Sequence, residues 1–362
     1  MGKKVVVGMS GGVDSSVAAY LLKERGYEVI GVTMQIWQSE TQCEVEKKGG
    51  CCGISAVEDA RRVAEVLDIP YYVMNFRAEF KRDVIDYFVR EYRLGRTPNP
   101  CIACNRYVKW EALLTRSLML GADYIATGHY ARVLTLENGR YALASSKTAA
   151  KDQSYALYNL TQRQLAHTLM PIGEYEKTEV RAIAAAAGLP VASKPDSQEI
   201  CFVPDGDYAH FIDESTGERA LPGNFVRADG TVLGEHKGLT HYTVGQRKGL
   251  GIAFGEPMYV IELRPEQNEV VLGTGDEVYA EELLAGDVNW MAVAPPPAGE
   301  TLCCRAKIRY NHGGADCSVT VLPDGKIRVA FPTPQRAVTP GQAVVLYTDS
   351  GAVLGGGTIE AE

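Results

Sequence analysis

A chain of 362 residues is long enough for about two or three domains. With 46% hydrophobic and 23% charged residues it has the makeup of a globular protein, not of a disordered or fibrous one. The net charge of −8 sets the chain as a whole against nucleic acid, but local charge overrides an average. Arg77 to Lys109 holds eight Lys/Arg against four Asp/Glu, a local excess of +4 that suits either a phosphate-facing patch or a solvated helix face. The opening residues Met1-Gly2-Lys3-Lys4 lead into an apolar run, Val5–Met9, too short for a signal core or a membrane span. A cytosolic protein without membrane association is therefore expected. Its nine cysteines, an odd number, argue against a complete disulfide framework and for buried, metal-bound or catalytic thiols.

Along the chain, strand-like and helix-like runs alternate first. Lys4–Met9 predicts a strand, Ser15–Arg25 a helix stopped by Gly26, Val29–Met34 a strand, Val57–Leu67 an amphipathic helix and Tyr71–Phe76 a strand. Glu79–Tyr92 predicts a helix, Gly95–Pro100 a loop, Trp110–Leu120 a helix and Tyr124–Thr127 a strand. Glu137-Asn138-Gly139 marks a hairpin, and Gln162–Leu169 and Lys177–Ala187 predict two more helices, the second ending at Gly188. This rhythm implies an α/β domain with a parallel sheet covered by helices on both faces, whose ligands bind at the carboxyl ends of the strands. After about residue 205, Gly and Pro become frequent and helical periodicity fades. Strand-like runs follow at Asn224–Arg227, Tyr259–Leu263, Glu269–Leu272, Arg305–Arg309, Ser318–Val321, Ile327–Phe331 and Ala343–Tyr347, with turn signals such as Pro323-Asp324-Gly325. The expected organisation is a catalytic domain over 1–205, a small β-rich domain over 206–275 and a C-terminal β-barrel over 276–362. The three prolines within Ala294–Gly299 suit a turn or linker, with the domain break earlier, near Gly275.

The first chemical signal is Ser10-Gly11-Gly12-Val13-Asp14-Ser15-Ser16, between a strand and a helix. Two glycines let the backbone approach an anion and take positive φ. The following helix aims its unsatisfied N–H groups and positive dipole end at the same point. Ser10, Ser15 and Ser16 add hydroxyls, and Asp14 either holds Mg²⁺ or positions those donors. No Gly-Lys-Ser/Thr follows, so this is not a Walker loop. The bland alternative is a glycine turn with Asp14 or Ser15 as helix cap. The Ser-Gly-Gly-x-Asp-Ser pattern resembles the PP-loop ATP pyrophosphatases, which cleave ATP between its α and β phosphates and leave an adenylated intermediate.

The second signal is Thr97-Pro98-Asn99-Pro100-Cys101-Ile102-Ala103-Cys104-Asn105, where two prolines stiffen a loop ahead of a helix. Cys104 near a helix N-terminus, with Arg106 and Lys109 close in sequence, favours a thiolate. A third thiol, Cys201, lies in Lys194-Pro195-Asp196-Ser197-Gln198-Glu199-Ile200-Cys201-Phe202. Cys51-Cys52 reads as packing or loop chemistry beside the nucleotide site, and Cys303, Cys304 and Cys317 as core or surface residues of the β-rich part. The turn Thr243–Gly251 suits either an RNA-facing or a purely structural role.

Together these motifs resemble the tRNA-specific 2-thiouridylases (the MnmA or TrmU family). The resemblance runs nearly end to end, through Gly8–Ser16, Gly31–Trp37, Pro98–Asn105, Thr127-Gly128-His129-Tyr130, Lys151-Asp152-Gln153-Ser154, Asp196–Phe202, His241–Ile252 and Arg309-Tyr310. It implies ATP binding by Gly8, Met9, Ser10, Gly11, Gly12, Val13, Asp14 and Ser15, with Met34 beside the adenine and Gly128 completing the pocket. It implies that the enzyme adenylates the C2 oxygen of the wobble uridine in a tRNA anticodon stem-loop, with sulfur from a persulfide on Cys201 then replacing the oxygen. Cys104 would be the partner nucleophile, forming a disulfide with Cys201 as sulfur leaves. Asn99, Pro100 and Cys101 match the stretch that touches the target base. His129, Lys151, Asp152, Gln153, Arg309, Tyr310 and Gln342 match positions that contact tRNA. A sulfur-relay protein or cysteine desulfurase is the implied donor.

This chain departs from the pattern at Cys101, where many members carry Asp. A thiol does not copy a low-pKa carboxylate. Cys101, Cys104 and Cys201 are also three soft ligands suited to an iron–sulfur cluster with one open iron, or to zinc. A cluster-dependent tRNA thiolase is therefore one alternative. Another PP-loop ligase is a second, although it leaves the cysteines unused and no ammonia source is evident. A tRNA-binding protein with a relic loop is a third, against which the intact glycines and Asp14 speak.

Overall fold

The computed structural model describes residues 2–36, 54–196, 200–252 and 255–361. Cys51 and Cys52 lie outside the described residues, as do Trp37 and residues 197–199 of the motifs above. The chain divides into two compact units: Met1–Val84, Cys101–Gly206 and Gly351–Val353 form one, and Ile85–Pro100, Asp207–Ser350 and Leu354–Glu362 the other.

The first unit is built on a parallel sheet. Strand β1 (Lys4–Gly8) carries three consecutive buried valines, Val5, Val6 and Val7, as expected of a strand covered on both faces. It lies between β2 (Glu28–Gln35) and β4 (Tyr124–Thr127). β3 (Tyr71–Asn75) and β7 (Thr168–Leu169) form the edges, giving the order β3-β2-β1-β4-β7. Every pairing in this sheet is parallel. The helix Val13–Glu24 buries Val13, Val17, Ala18 and Leu22 against it, in one core with Val63 of the helix Ile54–Val66, Leu67 just past its end, and Val180 and Ala184 of the helix Lys177–Ala186. A hairpin of β5 (Ala131–Thr135) and β6 (Tyr141–Ser145) turns at Gly139, where φ is +77°.

Two expectations change here. The Gln162–Leu169 run is helical only over Gln162–Ala166, where Thr161 and Gln164 form a capping box. Thr168 and Leu169 leave the helix and pair with Ile125 and Ala126 of β4. The second helix of the cysteine region begins ten residues before Trp110. It opens at Pro100 and runs through a π-helical stretch, Cys104–Leu113, to Met119. Proline suits the first helical position because its missing N–H is not needed there, so Pro100 starts the helix instead of stiffening a loop before it.

The second unit opens its main stretch with a helix the sequence reading omitted, Tyr208–Thr216. It is capped by Asp207, which accepts from the His210 N–H, and stopped by left-handed Gly217. Next comes a four-stranded sheet, β10-β11-β8-β9, from β8 (Gly223–Val226), β9 (Val232–His236), β10 (Tyr259–Arg264) and β11 (Glu269–Gly273). Phe225, Tyr242, Met258, Val260, Val270 and Leu272 form its core. A closed barrel ends the chain in the order β12-β15-β14-β13-β16-β17, from β12 (Tyr279–Trp290), β13 (Thr301–Lys307), β14 (Ala315–Val321), β15 (Ile327–Arg336), β16 (Ala343–Tyr347) and β17 (Val353–Ile359). The triple-proline stretch is the connection between β12 and β13, inside the barrel sequence. Among the described residues no helix is long and apolar enough to cross a membrane.

Candidate functional site

Gly8, Met34 and Gly128 all stand at or just beyond the carboxyl ends of β1, β2 and β4, the end at which ligands of parallel sheets bind. Met9 is buried and fixed by its N–H to the Val32 carbonyl, 2.8 Å, and by Thr33 Oγ1 donating to its carbonyl, 2.7 Å. The chain then turns outward at Ser10. Gly11 has φ +67°, and a Cβ there would lie 2.3 Å from the Ala56 carbonyl oxygen, so no other residue fits. Gly12 precedes the helix in extended conformation and supplies no side-chain cap. The first N–H groups of that helix therefore have no intrahelical acceptor and form a cradle for an anion. Neither Asp14 nor Ser15 caps the helix. The hydroxyls of Ser15 and Ser16 donate to the Gly12 carbonyl at 3.2 and 2.8 Å, and the Ser10 N–H reaches Ser15 Oγ at 3.2 Å. These hydroxyls brace the loop, and Ser10 alone of the three serines is exposed.

Gly128 closes the cradle from β4. A Cβ on it would lie 2.5 Å from the Ser15 nitrogen and 2.6 Å from the Asp14 carbonyl carbon. Gly8, by contrast, has ordinary room for a Cβ, with its nearest atoms 3.8 Å away. The glycine at 128 is required for close packing of backbone on backbone; the one at 8 is not required by the protein's own packing.

Asp14 is engaged on both oxygens. Tyr130 Oη donates to Oδ1 at 2.7 Å, and Lys177 Nζ reaches Oδ1 and Oδ2 at 2.7 and 2.8 Å. Burial and the Asp14 charge push the Tyr130 hydroxyl well above its ordinary pKa, so it stays a donor. Lys177 also meets Asp196 Oδ1 at 2.8 Å, and Asp196 takes two further cations, Lys151 at 2.9 Å and Arg181 at 3.0 Å. Partial burial raises the Asp196 pKa, but the hydrogen bonds and charges of Lys177 and Lys151 outweigh it and hold the carboxyl at about 2. On the other side of the loop, Lys194 donates to the Gly11 carbonyl at 3.0 Å and pairs with Asp59 at 2.7 Å. Of the two roles considered for Asp14, positioning of the loop is the one its contacts serve. A metal ion would have to displace Lys177 and Tyr130 to use the same oxygens.

The remaining motif residues divide between outward and inward roles. In Lys151-Asp152-Gln153 only Lys151 points to a distant charge. Asp152 accepts from the Ser154 hydroxyl at 2.8 Å, and Gln153 holds Tyr130 by two bonds of 2.9 Å, one from its side chain and one from its backbone. His129 lies 2.7 Å from Thr127 Oγ1, its ring 5.5 Å from that of Trp110. Burial, and secondarily the Lys109 charge, depress its pKa well below the usual value and keep it neutral. In the second unit, Gln342 Nε2 donates to the Thr97 carbonyl at 2.7 Å, and the Thr97 N–H donates to the Pro340 carbonyl at 2.8 Å. Gln342 thereby tethers the backbone just before Asn99 and Pro100. Arg309 and Tyr310 sit in the turn between β13 and β14.

Cys101 lies in the first turn of its helix and Cys104 in the second, so the helix dipole, which fades after the first turn, acts more on Cys101. Cys101 is exposed; Cys104 and Cys201 are half-buried, and all three are thiols with no disulfide between them. Cys201 is anchored by its neighbour Phe202, buried with its ring edge-on to Phe80 at 5.7 Å. Among the described residues no three His, Cys, Asp or Glu side chains converge as a metal-binding set. Cys101, Cys104 and Cys201 are not among such sets in this structure. In the barrel, Cys304 and Cys317 are buried with their sulfurs 3.6 Å apart, and Cys303 is exposed.

Sequence reasoning missed Tyr130 as a site residue, and also Lys177, Arg181 and Asp59. A signal existed for Lys177: it is the first residue of its helix, where a cation opposes the dipole and needs another reason to be there.

A glycine turn at the strand ends of a parallel sheet, followed by two β-rich modules, defines a class of α/β proteins with barrel appendages. Three family models match in that order: a tRNA methyl transferase HUP domain over residues 3–205, a tRNA methyl transferase PRC-barrel domain over 209–274, and an aminomethyltransferase beta-barrel domain over 280–359. The chain is 68% identical over 357 residues to the tRNA-specific 2-thiouridylase MnmA of Lachnoclostridium phytofermentans, covering 99% of each chain. It is 58% identical over 359 residues to that of Acetivibrio thermocellus, again covering 99% of each. The same enzyme of Clostridium perfringens is 54% identical over 359 residues, at 99% of each chain. The chain belongs to the tRNA-specific 2-thiouridylase MnmA family.

Proposed function

We propose that this protein is an ATP-dependent tRNA 2-thiouridylase acting on the wobble uridine. The observation that carries the reading is the uncapped helix N-terminus behind Gly11 and Gly12, in a chain of this family. The helix N–H groups and the exposed Ser10 hydroxyl hold the ATP phosphates, and Gly128 keeps the cradle tight. Lys177 neutralises Asp14 so that no free carboxylate opposes the phosphates. Met34 flanks the adenine at the end of β2. Mg²⁺, when bound, would offset phosphate charge.

The uridine C2 oxygen attacks the α-phosphorus and pyrophosphate leaves. AMP is then a far better leaving group than oxide. The terminal sulfur of a persulfide on Cys201, loaded by a relay protein or desulfurase, becomes bonded to C2 as AMP departs. The Cys104 thiolate attacks the Cys201 sulfur, breaks its bond to the transferred sulfur so that this stays on C2 as the thiocarbonyl, and closes a disulfide, which an external thiol must reduce before the next cycle. Asn99, Pro100 and Cys101 face the target base, and His129, Lys151, Asp152, Gln153, Arg309, Tyr310 and Gln342 support the tRNA, directly or by bracing the segments that touch it. The base leaves its loop stack to reach the site.

The test is reconstitution. The protein is incubated with ATP, Mg²⁺, a persulfide donor and unmodified tRNA, and the digested nucleosides are analysed by mass spectrometry. The expected result is 2-thiouridine at the wobble position. AMP release with no 2-thiouridine would overturn the reading.

A further inference from the structure

The turn Thr243–Gly249, between β9 and β10, is tied to the barrel residues next to Arg309. Its own form is fixed by Gln246, whose Oε1 accepts from the Thr243 N–H at 3.0 Å and whose Nε2 donates to the Lys248 carbonyl at 3.0 Å. Gly245 has φ +88°, and a Cβ there would lie 2.5 Å from the Ala337 Cβ. Arg336 Nη2 donates to the Gly245 carbonyl at 3.4 Å, with its guanidinium 5.1 Å above the Tyr259 ring. Arg309 Nη1 in turn donates to the Arg336 carbonyl at 2.9 Å. Arg247 and Lys248 follow in the turn and are exposed, and Tyr310 beside Arg309 is 41% exposed.

Four cations, Arg247, Lys248, Arg309 and Arg336, are thus carried on one bonded framework. None of them forms an ion pair with a described carboxylate, although the chain has eight more acidic than basic residues. Unneutralised positive charge held on a rigid turn in an acidic protein calls for a polyanion. Guanidinium groups suit phosphate oxygens in particular, and an exposed tyrosine beside them offers a face for stacking on a base or ribose.

We infer that the turn Thr243–Gly249 and the Arg309–Arg336 pair form one surface for the sugar–phosphate backbone of the tRNA, with Arg247, Lys248 and Arg336 as further contacts. The inference rests on the proposed tRNA substrate and extends it from Arg309 and Tyr310 to the turn Thr243–Gly249 and Arg336. Phosphate contacts of this kind position the substrate without reading its sequence.

The experiment is a salt titration of tRNA binding to the full-length protein. Each phosphate contact contributes about 0.7–0.9 to the slope of log affinity against log salt. For R247A/K248A the slope is expected to be shallower by between about 1 and 2, with affinity at least about tenfold lower at 0.1 M salt. The control K326A/R227A removes two cations that already have partners, Glu360 and Glu256, and is expected to leave slope and affinity nearly as in the wild type. Circular dichroism and thermal melts check the fold of each variant, and R247Q/K248Q serves if the alanine pair does not fold. Wild-type slope and affinity in R247A/K248A, or equal losses in both pairs, would overturn the surface. If the wild type itself binds no tRNA, the proposed substrate fails instead.

Discussion

Two regions of the molecule, one in each unit, handle charge in opposite ways. Around the glycine cradle every cation has a carboxylate: Lys177 has Asp14 and Asp196, Lys151 and Arg181 share Asp196, and Lys194 has Asp59. At the turn Thr243–Gly249 and the barrel residues bonded to it, Arg247, Lys248, Arg309 and Arg336 have none among the described residues. Paired charges fix geometry and leave little net field, which suits a small ligand gripped by backbone N–H groups. Unpaired charges keep their field, which suits a long polyanion that arrives by diffusion and must be steered. Under the proposed function, one chain would bind a nucleotide by shape and a nucleic acid by charge while remaining acidic overall.

The cradle is the more brittle of the two. Gly128→Ala drives a methyl into the Asp14–Ser15 backbone, an overpacking cost of about 1–3 kcal/mol. ATP affinity by calorimetry should fall roughly ten- to a hundredfold; an unchanged affinity would show that the cradle does not hold ATP. Lys177→Ala is next. It leaves Asp14 uncompensated beside the phosphate site, and hydrogen bonds to charged groups are worth about 1.5–3 kcal/mol. A loss of about tenfold or more is expected, with partial recovery when Asp14→Asn is added. Without that recovery, charge neutralisation is not what Lys177 provides.

Salt sharpens the contrast. ATP held by neutral N–H groups should lose little affinity between 0.05 and 0.2 M salt, whereas about four phosphate contacts on the barrel surface give a tRNA slope of about −3 or steeper. Equal slopes for the two ligands would erase the distinction. The smallest effect concerns acid stability. Asp196 has its pKa depressed in the folded protein to about 2 from an ordinary 3.8. Its contribution is therefore fully present above about pH 4 and is lost as pH falls toward about 2. In Asp196→Asn, acid unfolding across that window should be less steep, as followed by circular dichroism; an identical profile would mean that the ion cluster adds nothing to stability.

Much of this architecture is written locally. The triple valine of β1, the Gly11-Gly12 turn and the amphipathic helices are decided by neighbours in sequence, and they were legible. What was not legible depends on distant partners. Asp14 and Lys177 are separated by 163 positions, so the ion pair between them was not readable from the local motif. Strand β17 was hidden by its glycines, which fit because Gly355 and Gly357 pass within 2.5 and 2.7 Å, at a notional Cβ, of the β12 backbone. Thr168 and Leu169 follow helical periodicity but join the sheet because β4 offers an edge.

The division between a loop that activates oxygen and thiols that supply sulfur is tested most directly with Cys201→Ser, ATP labelled at the α-phosphate, and unmodified tRNA. The account predicts label transferred to tRNA with no 2-thiouridine formed. Normal thiolation, or no label on the tRNA under conditions where the wild type thiolates, would contradict it.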